Sequence, residues 1–257
     1  MDDHNGREVQ TVNRSFQIVR ALADREGAGV TELADSLELS KGAVHTHLNT
    51  LESNGVVTQQ GDEYRLGLRF ITFGEYVKRQ RPLYGAGRDE TDALAEATGE
   101  YAHLMAEERG RGFHIYKSRG DNAVGQPYHD MNLQKEDHLH YSAAGKSILS
   151  CLSESRIDDI VDAYGLPERT GNTITTREEL FDRLDRIRER GYALNDEEEI
   201  DGLRAVGAPI DTAGVVGAIS VSGPVSRLKG DRFREELPER VMQAANVIEL
   251  SVQTASF

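Results

Sequence analysis

The chain of 257 residues is long enough for two domains of ordinary size. No apolar run approaches membrane-spanning length, and the polar N-terminus lacks a signal-peptide core, so we expect a cytoplasmic protein with no membrane partner. The single cysteine, Cys151, excludes an intrachain disulfide. Its apolar helical surroundings predict core packing rather than catalysis.

The charge is strongly acidic. The chain has 44 Asp and Glu against 30 Lys and Arg, a formal net charge of −14, and only six of the basic residues are Lys. This balance fits an ordinary acidic protein, or a halophilic one, because molar salt screens charge repulsion within about 3 Å. We favour the halophilic interpretation. DNA-binding domains are usually basic, whereas residues 1–70 carry seven basic and eleven acidic side chains.

The first seventy residues predict three short helices followed by a hairpin. Apolar residues recur at helical spacing over Val12–Ala23, Thr31 is expected to cap a second helix, and Ser40 a third. The third helix should bury Val44, Leu48 and Leu51. Residues 56–59 and 64–66 then read as two antiparallel strands. This succession predicts a winged helix-turn-helix.

The rest of the chain predicts an α+β domain. Leu68–Arg81 favours a linker helix that ends before Pro82 and has an apolar side suited to a partner subunit. Further helices are expected at 89–100, 142–152, 155–164, 176–190 and 231–252, and strands at 102–107, 112–118, 138–141, 192–194, 203–210 and 215–222. These elements indicate a mostly antiparallel sheet flanked by helices, of GAF-like type.

Two stretches carry small residues where a ligand could approach. Leu139–Lys146 reads as a strand running into a helix whose first turn is small, and bare N–H groups at such a helix start bind carboxylates. An ordinary helix capped by Ser142 would look the same. In Glu189–Pro224, an acidic turn precedes two strands rich in Ala, Gly and Ser, which leave room beside a sheet. The polar side chains available there are Asn195, Ser220 and Ser222.

Together these features resemble the IclR family of effector-controlled transcription regulators, from about Val12 to about Val252, and the acidic charge suggests a haloarchaeal member. The third helix reads SKGAVHTHL, where the family typically has Ser-x-x-Thr-Val-His-Arg-x-Leu. Ala43 and Thr46 depart from that pattern. The resemblance implies a regulator rather than an enzyme. Its expected parts are a winged helix-turn-helix (1–67), a linker helix (68–84) and an effector-binding and oligomerisation domain (85–257).

The outward surface of the third helix is the predicted contact with double-stranded operator DNA. Thr46 and Asn49 can read base edges in the major groove, while Ser40 and Lys41 suit phosphates. The candidate DNA-binding residues are Arg14, Ser15, Ser40, Lys41, Ala43, His45, Thr46, His47, Asn49 and Arg65. Because an acidic domain offers few phosphate contacts, we expect an unusually shallow salt dependence.

The family resemblance also implies an effector site and no cofactor. The backbone N–H groups of Ala143 and Ala144 would hold the carboxylate of a small organic acid. The candidate effector-binding residues are Ala143, Ala144, Asn195, Leu203, Ala205, Ser220 and Ser222. Asn195 stands where family members can have an acidic residue, and Ala205 where they can have a cysteine or another small residue. These departures allow a different, larger acid, or none.

Three alternatives remain open at this point. His129, His138 and His140 could hold Zn²⁺ together with Asp130 or Asp137, which would make a zinc-responsive regulator, although exposed strand histidines are the simpler interpretation. The second domain could serve only to dimerise, without any effector. An enzyme is not expected, because no serine has a His–Asp partner in its own segment and no Walker or Rossmann motif occurs.

The resemblance further implies a homodimer, or a tetramer of paired dimers, on a pseudo-palindromic operator. Effector binding would then shift the two DNA-binding modules through the linker helix.

Overall fold

The structure is a computed structural model that describes residues 8–124 and 137–255. Contacts within the chain divide it into two units, Met1–Lys78 and Arg79–Phe257, and each is described by itself.

The first unit is a winged helix-turn-helix, as predicted. Its elements are α1 (Gln10–Asp24), β1 (Ala28–Gly29), α2 (Val30–Leu37), α3 (Lys41–Ser53), β2 (Val57–Gln60) and β3 (Glu63–Leu66). The strand β3 pairs antiparallel with both β2 and β1, so the wing has three strands instead of the predicted two. Gly27, at φ +133°, turns the chain after α1 so that β1 can lie beside β3.

Of the two predicted helix caps in the first unit, one is confirmed and the other is wrong. Ser40 caps α3, and its hydroxyl accepts a hydrogen bond from the N–H of Ala43 at 3.2 Å. The predicted cap at Thr31 is wrong. The helix α2 begins at Val30 after an extended Gly29, because Gly29 is still paired in the sheet.

The core of the first unit lies between α1, α2, α3 and the wing. Of the predicted stripe on α3, Val44 and Leu48 are fully buried and Leu51 is partly buried. On α1, Ile18 and Leu22 are buried, whereas Val12 and Phe16 are about half exposed. The apolar spacing therefore predicted the helix correctly without identifying its buried face.

The helix α4 (Arg69–Arg79) follows the wing and carries the boundary between the two units. None of its residues, all of which the structure describes, is buried. Its exposed apolar side chains, with that of the residue before it, are Leu68, Ile71, Phe73, Tyr76 and Val77. This helix thus presents an uncovered apolar side.

The second unit is an α+β domain, which confirms the predicted class. Its elements are α5 (Pro82–Thr98), β4 (Tyr101–Glu108), β5 (Arg111–Arg119), α6 (Ala143–Ser150), α7 (Glu154–Tyr164), α8 (Arg177–Arg190), β6 (Ala193–Asp196), β7 (Leu203–Thr212), β8 (Val215–Pro224), a π-helical turn (Arg232–Glu236) and α9 (Leu237–Ala255). In the described residues the strand order is β5-β4-β8-β7-β6, and every neighbouring pair is antiparallel.

Two predicted elements of this unit are corrected. The helix expected to start at Asp89 begins at Pro82, because proline suits the first helical position, where its missing N–H costs nothing. The strand expected at His138–Tyr141 is absent among the described residues. Only Asp137 forms a bridge, to Gly112, and the chain then bends into α6.

The sheet separates two cores and leaves its polar residues on one face. The helices α5 and α9 cover one face, which contributes residues such as Leu104 and Ile219, and α6, α7 and α8 cover the other, with Met105 and Ala218. Because side chains alternate along a strand, Ser220 falls on the α6 face together with Ser222 and Ala205. No helix in the described ranges is long and apolar enough to cross a membrane.

Candidate functional site

The helix α3 presents the predicted DNA-reading surface of the first unit. Lys41, His45, Thr46 and Asn49 are exposed on the side opposite the buried stripe, while Ala43 and His47 are half-buried. The amide of Asn49 lies 3.2 Å from Nδ1 of His45, one turn away. The hydroxyl of Thr46 donates to the carbonyl of Gly42 at 2.9 Å, which leaves its oxygen as an acceptor.

The residues predicted to contact phosphates are spread over three elements. Ser15 on α1 is hydrogen-bonded to Nδ1 of His47 at 2.9 Å and so ties α1 to α3. Ser40 is engaged as the cap of α3. On the wing, the guanidinium of Arg65 lies 3.2 Å from the carboxylate of Glu63, and both side chains are half exposed. Arg14 is half-buried on α1. Their contacts with DNA stay predictions.

The second unit holds a small cavity on the α6 face of the sheet. Six of the seven predicted effector residues line it, namely Ala143, Ala144, Leu203, Ala205, Ser220 and Ser222. They come from α6, β7 and β8, so segments sixty residues apart in the sequence meet in one place.

The start of α6 supplies backbone donors to this cavity. Ser142 caps the helix by accepting a hydrogen bond from the N–H of Gly145 at 3.0 Å. The N–H groups of Ala143 and Ala144 belong to the first turn and have no acceptor within the helix. Gly207 lets β7 approach closely, because a Cβ there would lie 3.0 Å from the nitrogen of Ala144. An anion in the cavity would meet the positive end of α6.

Asn195 is the predicted effector residue that does not line the cavity. It is fully buried, its Oδ1 accepts a hydrogen bond from the N–H of Glu198 at 2.9 Å, and its amide donates to Glu199 at 3.4 Å. Strand alternation puts it on the cavity face, but β6 lies at the sheet edge, one strand beyond Ala205. Asn195 therefore shapes the turn that presents Glu199, which does line the cavity.

A buried ion cluster joins this turn to α6. Lys146 is fully buried and pairs with Oε2 of Glu198, while Arg183 on α8 lies 3.2 Å from Oε1. Burial lowers the pKa of Lys146, and the Glu198 carboxylate opposes that shift. The hydroxyl of Thr173 donates to the backbone carbonyl of Glu198 at 2.6 Å. The contacts of Glu198 thus connect its turn to both α6 and α8.

Two histidines, neither of them predicted, also line the cavity. His103 on β4 lies 2.7 Å from the hydroxyl of Ser222 through Nε2. His114 on β5 stacks at an angle beside it, with ring centroids 5.3 Å apart. The sequence predicts the strands of both histidines, but it does not predict the bulge in the β4–β5 pair that turns His114 toward the cavity.

Comparisons with known proteins agree with this architecture. The IclR helix-turn-helix domain model matches residues 11–61, and the model for the C-terminal domain of bacterial IclR transcriptional regulators matches residues 76–250. The chain is 39% identical over 252 residues to the probable HTH-type transcriptional regulator ArcR of Halobacterium salinarum, across 97% of this chain and 96% of that one. The chain belongs to the IclR family.

Solved IclR-family structures share the fold over nearly the whole chain. The IclR of Thermotoga maritima superposes with a TM-score of 0.74 at 26% identity, covering 95% of this chain and 99% of that chain. An IclR homolog from Microbacterium hydrocarbonoxydans, solved in complex with 4-hydroxybenzoate, gives 0.79 at 18% identity with the same coverage. The two matching family models and the Halobacterium salinarum relative describe transcriptional regulators, so this IclR-family chain is a DNA-binding regulator and not an enzyme.

The zinc alternative finds no support in the part of the chain that the structure describes. His138 and His140 do not share a strand face, and no group of metal-ligating side chains occurs among residues 8–124 and 137–255. His140 lies 3.1 Å from the carbonyl of Pro167, and burial lowers the pKa of His140 to about 4. His129 and Asp130 lie outside the described residues.

Cys151 follows α6 and is half-buried in this IclR-family domain. Burial raises the pKa of its thiol to about 11, which disfavours the thiolate needed for nucleophilic or redox chemistry. This agrees with the packing role predicted from the sequence.

Proposed function

We propose that a small organic acid binds in the α6-face cavity and changes the affinity of this regulator for its operator. The observation that carries the proposal is the convergence of the first-turn N–H groups of α6 with the Ser220 hydroxyl position on one cavity. A carboxylate at the helix start is stabilised by those donors and by the helix dipole. The relative bound to 4-hydroxybenzoate supports the same class of ligand.

The cavity dimensions favour a small acid. The cavity is narrow and has room for little more than one water-sized sphere in this structure. Its walls are close together, because Ala205 lines it with a small side chain and Gly207 lets β7 pack against the start of α6. We therefore infer a compact acid rather than the larger one that the Ala205 position allowed.

Replacing Ser220 by Val is expected to weaken acid binding about tenfold or more, because it removes a hydroxyl from the cavity wall and leaves the volume nearly unchanged. Acid binding is measured by calorimetry on the full chain. Its effect on DNA is measured by fluorescence anisotropy with an operator selected from a random-sequence pool. DNA affinity without acid should stay at the wild-type level.

The matched control is Thr91→Val, which removes a buried hydroxyl bonded to the carbonyl of Gly87 on α5, on the opposite face of the sheet. That variant should bind acid normally. If Ser220→Val responds to acid like the wild type, the cavity is not the effector site. If no acid alters DNA binding, the second domain has no acid-sensing role.

We also propose that the affinity of this regulator for DNA depends only weakly on salt concentration. Arg14, Lys41 and Arg65 are the cationic side chains proposed to contact phosphates, so log K against log[KCl] should have a slope of about −3 per domain. Lys41→Ala is expected to make that slope shallower by about one unit, whereas Lys229→Ala, exposed in the second unit, should not change it. A wild-type slope of about −8 per domain would contradict the prediction.

We also infer that the regulator binds DNA as a homodimer. The uncovered apolar side chains of α4, including Phe73 and Tyr76, support this because contiguous exposed apolar residues mark protein–protein contacts. A dimer would pair two winged helices with the half-sites of a pseudo-palindromic operator.

A further inference from the structure

The position of His114 in the cavity results from a local irregularity in the sheet. Along β4 and β5, Leu104 pairs with Tyr116, but the next residue, Met105, pairs with His114, so Ile115 is skipped. This bulge reverses the alternation of β5 beyond that point. His114 is therefore brought to the same face as Met105, which is the cavity face, and Ile115 packs in the opposite core.

One ring nitrogen of His114 has no hydrogen-bond partner among residues 8–124 and 137–255. The side chain is only 8% exposed, and its Nδ1 atom is buried without a partner among the residues that the structure describes. Buried polar atoms in proteins are rarely left in this state. Because His114 lines the cavity, a ligand in that cavity is in a position to satisfy the nitrogen.

The surroundings of His114 determine which kind of partner Nδ1 needs. Its other nitrogen, Nε2, lies 3.5 Å from Oδ2 of Asp137, whose second oxygen accepts a hydrogen bond from the hydroxyl of Tyr141 at 3.1 Å. A carboxylate facing Nε2 favours the tautomer with its proton on that nitrogen. The lone pair is then on Nδ1, so the ligand group opposite must donate a hydrogen bond.

The charges around the cavity disfavour a second anionic group on the ligand. Glu199 lines the cavity and Asp137 lies directly behind His114, whereas no Lys or Arg side chain lines it among the described residues. The positive end of the site is the start of α6, where one carboxylate of the ligand would bind. A neutral donor, such as a hydroxyl group, is compatible with this arrangement.

We propose that His114 forms a second subsite of this cavity, which selects hydroxymonocarboxylic acids by accepting a hydrogen bond from the hydroxyl group of the ligand. The proposal rests on the proposed function, because it takes the carboxylate to lie at the start of α6. It assigns to His114 the discrimination between a hydroxy acid and the acid of the same skeleton without the hydroxyl.

The test compares matched acids by calorimetry on the full-length protein. The probes are lactate with propanoate and pyruvate, 3-hydroxybutanoate with butanoate, 4-hydroxybenzoate with benzoate, and malate as a dicarboxylate. At least one hydroxy acid should bind about tenfold tighter than its partner without the hydroxyl, since the latter leaves Nδ1 of His114 unbonded. Malate should bind more weakly than the preferred monocarboxylate.

His114→Phe keeps an aromatic ring but removes the acceptor, so it should erase the hydroxy-acid preference and leave affinity for the plain acids unchanged. The matched control is Tyr116→Phe on the same strand, which removes a hydroxyl bonded to Asp92 outside the cavity and should retain the preference. If His114→Phe fails to fold, the comparison of acids on the wild type decides.

The outcomes separate the two proposals. Acids that bind without any hydroxyl preference, or a preference that survives in His114→Phe, would overturn the role of His114 and leave the proposed function standing. Tighter binding of pyruvate than of lactate would likewise show that Nδ1 is not an acceptor. If none of the acids binds to the wild type, the proposed function and this inference both fall.

Discussion

A Glu198→Gln variant is expected to lose about 3–5 kcal/mol of its free energy of unfolding, because it leaves the fully buried Lys146 without a counter-charge. Arg183 loses its carboxylate partner at the same time. Chemical denaturation of the full chain, followed by circular dichroism, measures the change. Such a cost would be among the largest from a single substitution in this domain.

Two variants show whether the loss comes from the buried charge. Glu236→Gln removes a half-exposed carboxylate that pairs with Arg240. Its free energy of unfolding should differ from that of the wild type by no more than about 0.5 kcal/mol. The double variant Lys146→Met with Glu198→Leu removes both buried charges and should recover much of the stability. A Glu198→Gln variant as stable as Glu236→Gln would mean that Lys146 is not held by this ion pair.

Gly145→Ala is the second substitution with a large expected effect. A Cβ at this position would lie 2.2 Å from the carbonyl oxygen of Leu139 and 2.6 Å from its Cα, so backbone must move. The start of α6 would be displaced together with the N–H groups proposed to hold the carboxylate. We expect acid affinity to fall about tenfold or more and stability to fall by about 1–3 kcal/mol.

Calorimetry with the preferred acid and chemical denaturation measure these two effects. Gly171→Ala is the matched control, because a Cβ there meets no atom within 4 Å. That variant should behave like the wild type in both measurements. Normal acid affinity in Gly145→Ala would show that the close packing of α6 against Leu139 does not position the site.

The features predicted correctly from the sequence are those set by local patterns. The caps at Ser40 and Ser142 follow from a hydroxyl three residues before an unpaired N–H, and the buried pair Val44 and Leu48 from helical periodicity. Ser220 and Ser222 share a face because side chains alternate along any strand. These rules need no knowledge of distant contacts.

The errors arose where a distant contact outweighed the local pattern. Thr31 does not cap α2, because Gly29 pairs with Glu63, thirty-four positions along the chain, and the helix begins directly after Gly29. The stretch after Asp137 bends into α6 instead of continuing as a strand. Asn195 is held by the turn at Glu198, so it supports the cavity wall without lining the cavity.

The amino-acid sequence by itself determined that this chain is a winged helix-turn-helix joined to an α+β domain, because caps and periodicity act over a few positions. Its resemblance to the IclR family indicated six residues of one cavity. Only the tertiary structure placed His114 at that cavity and buried Lys146 beside Glu198. Their positions depend on strand register and on the burial of charge, which are fixed when distant segments pack together.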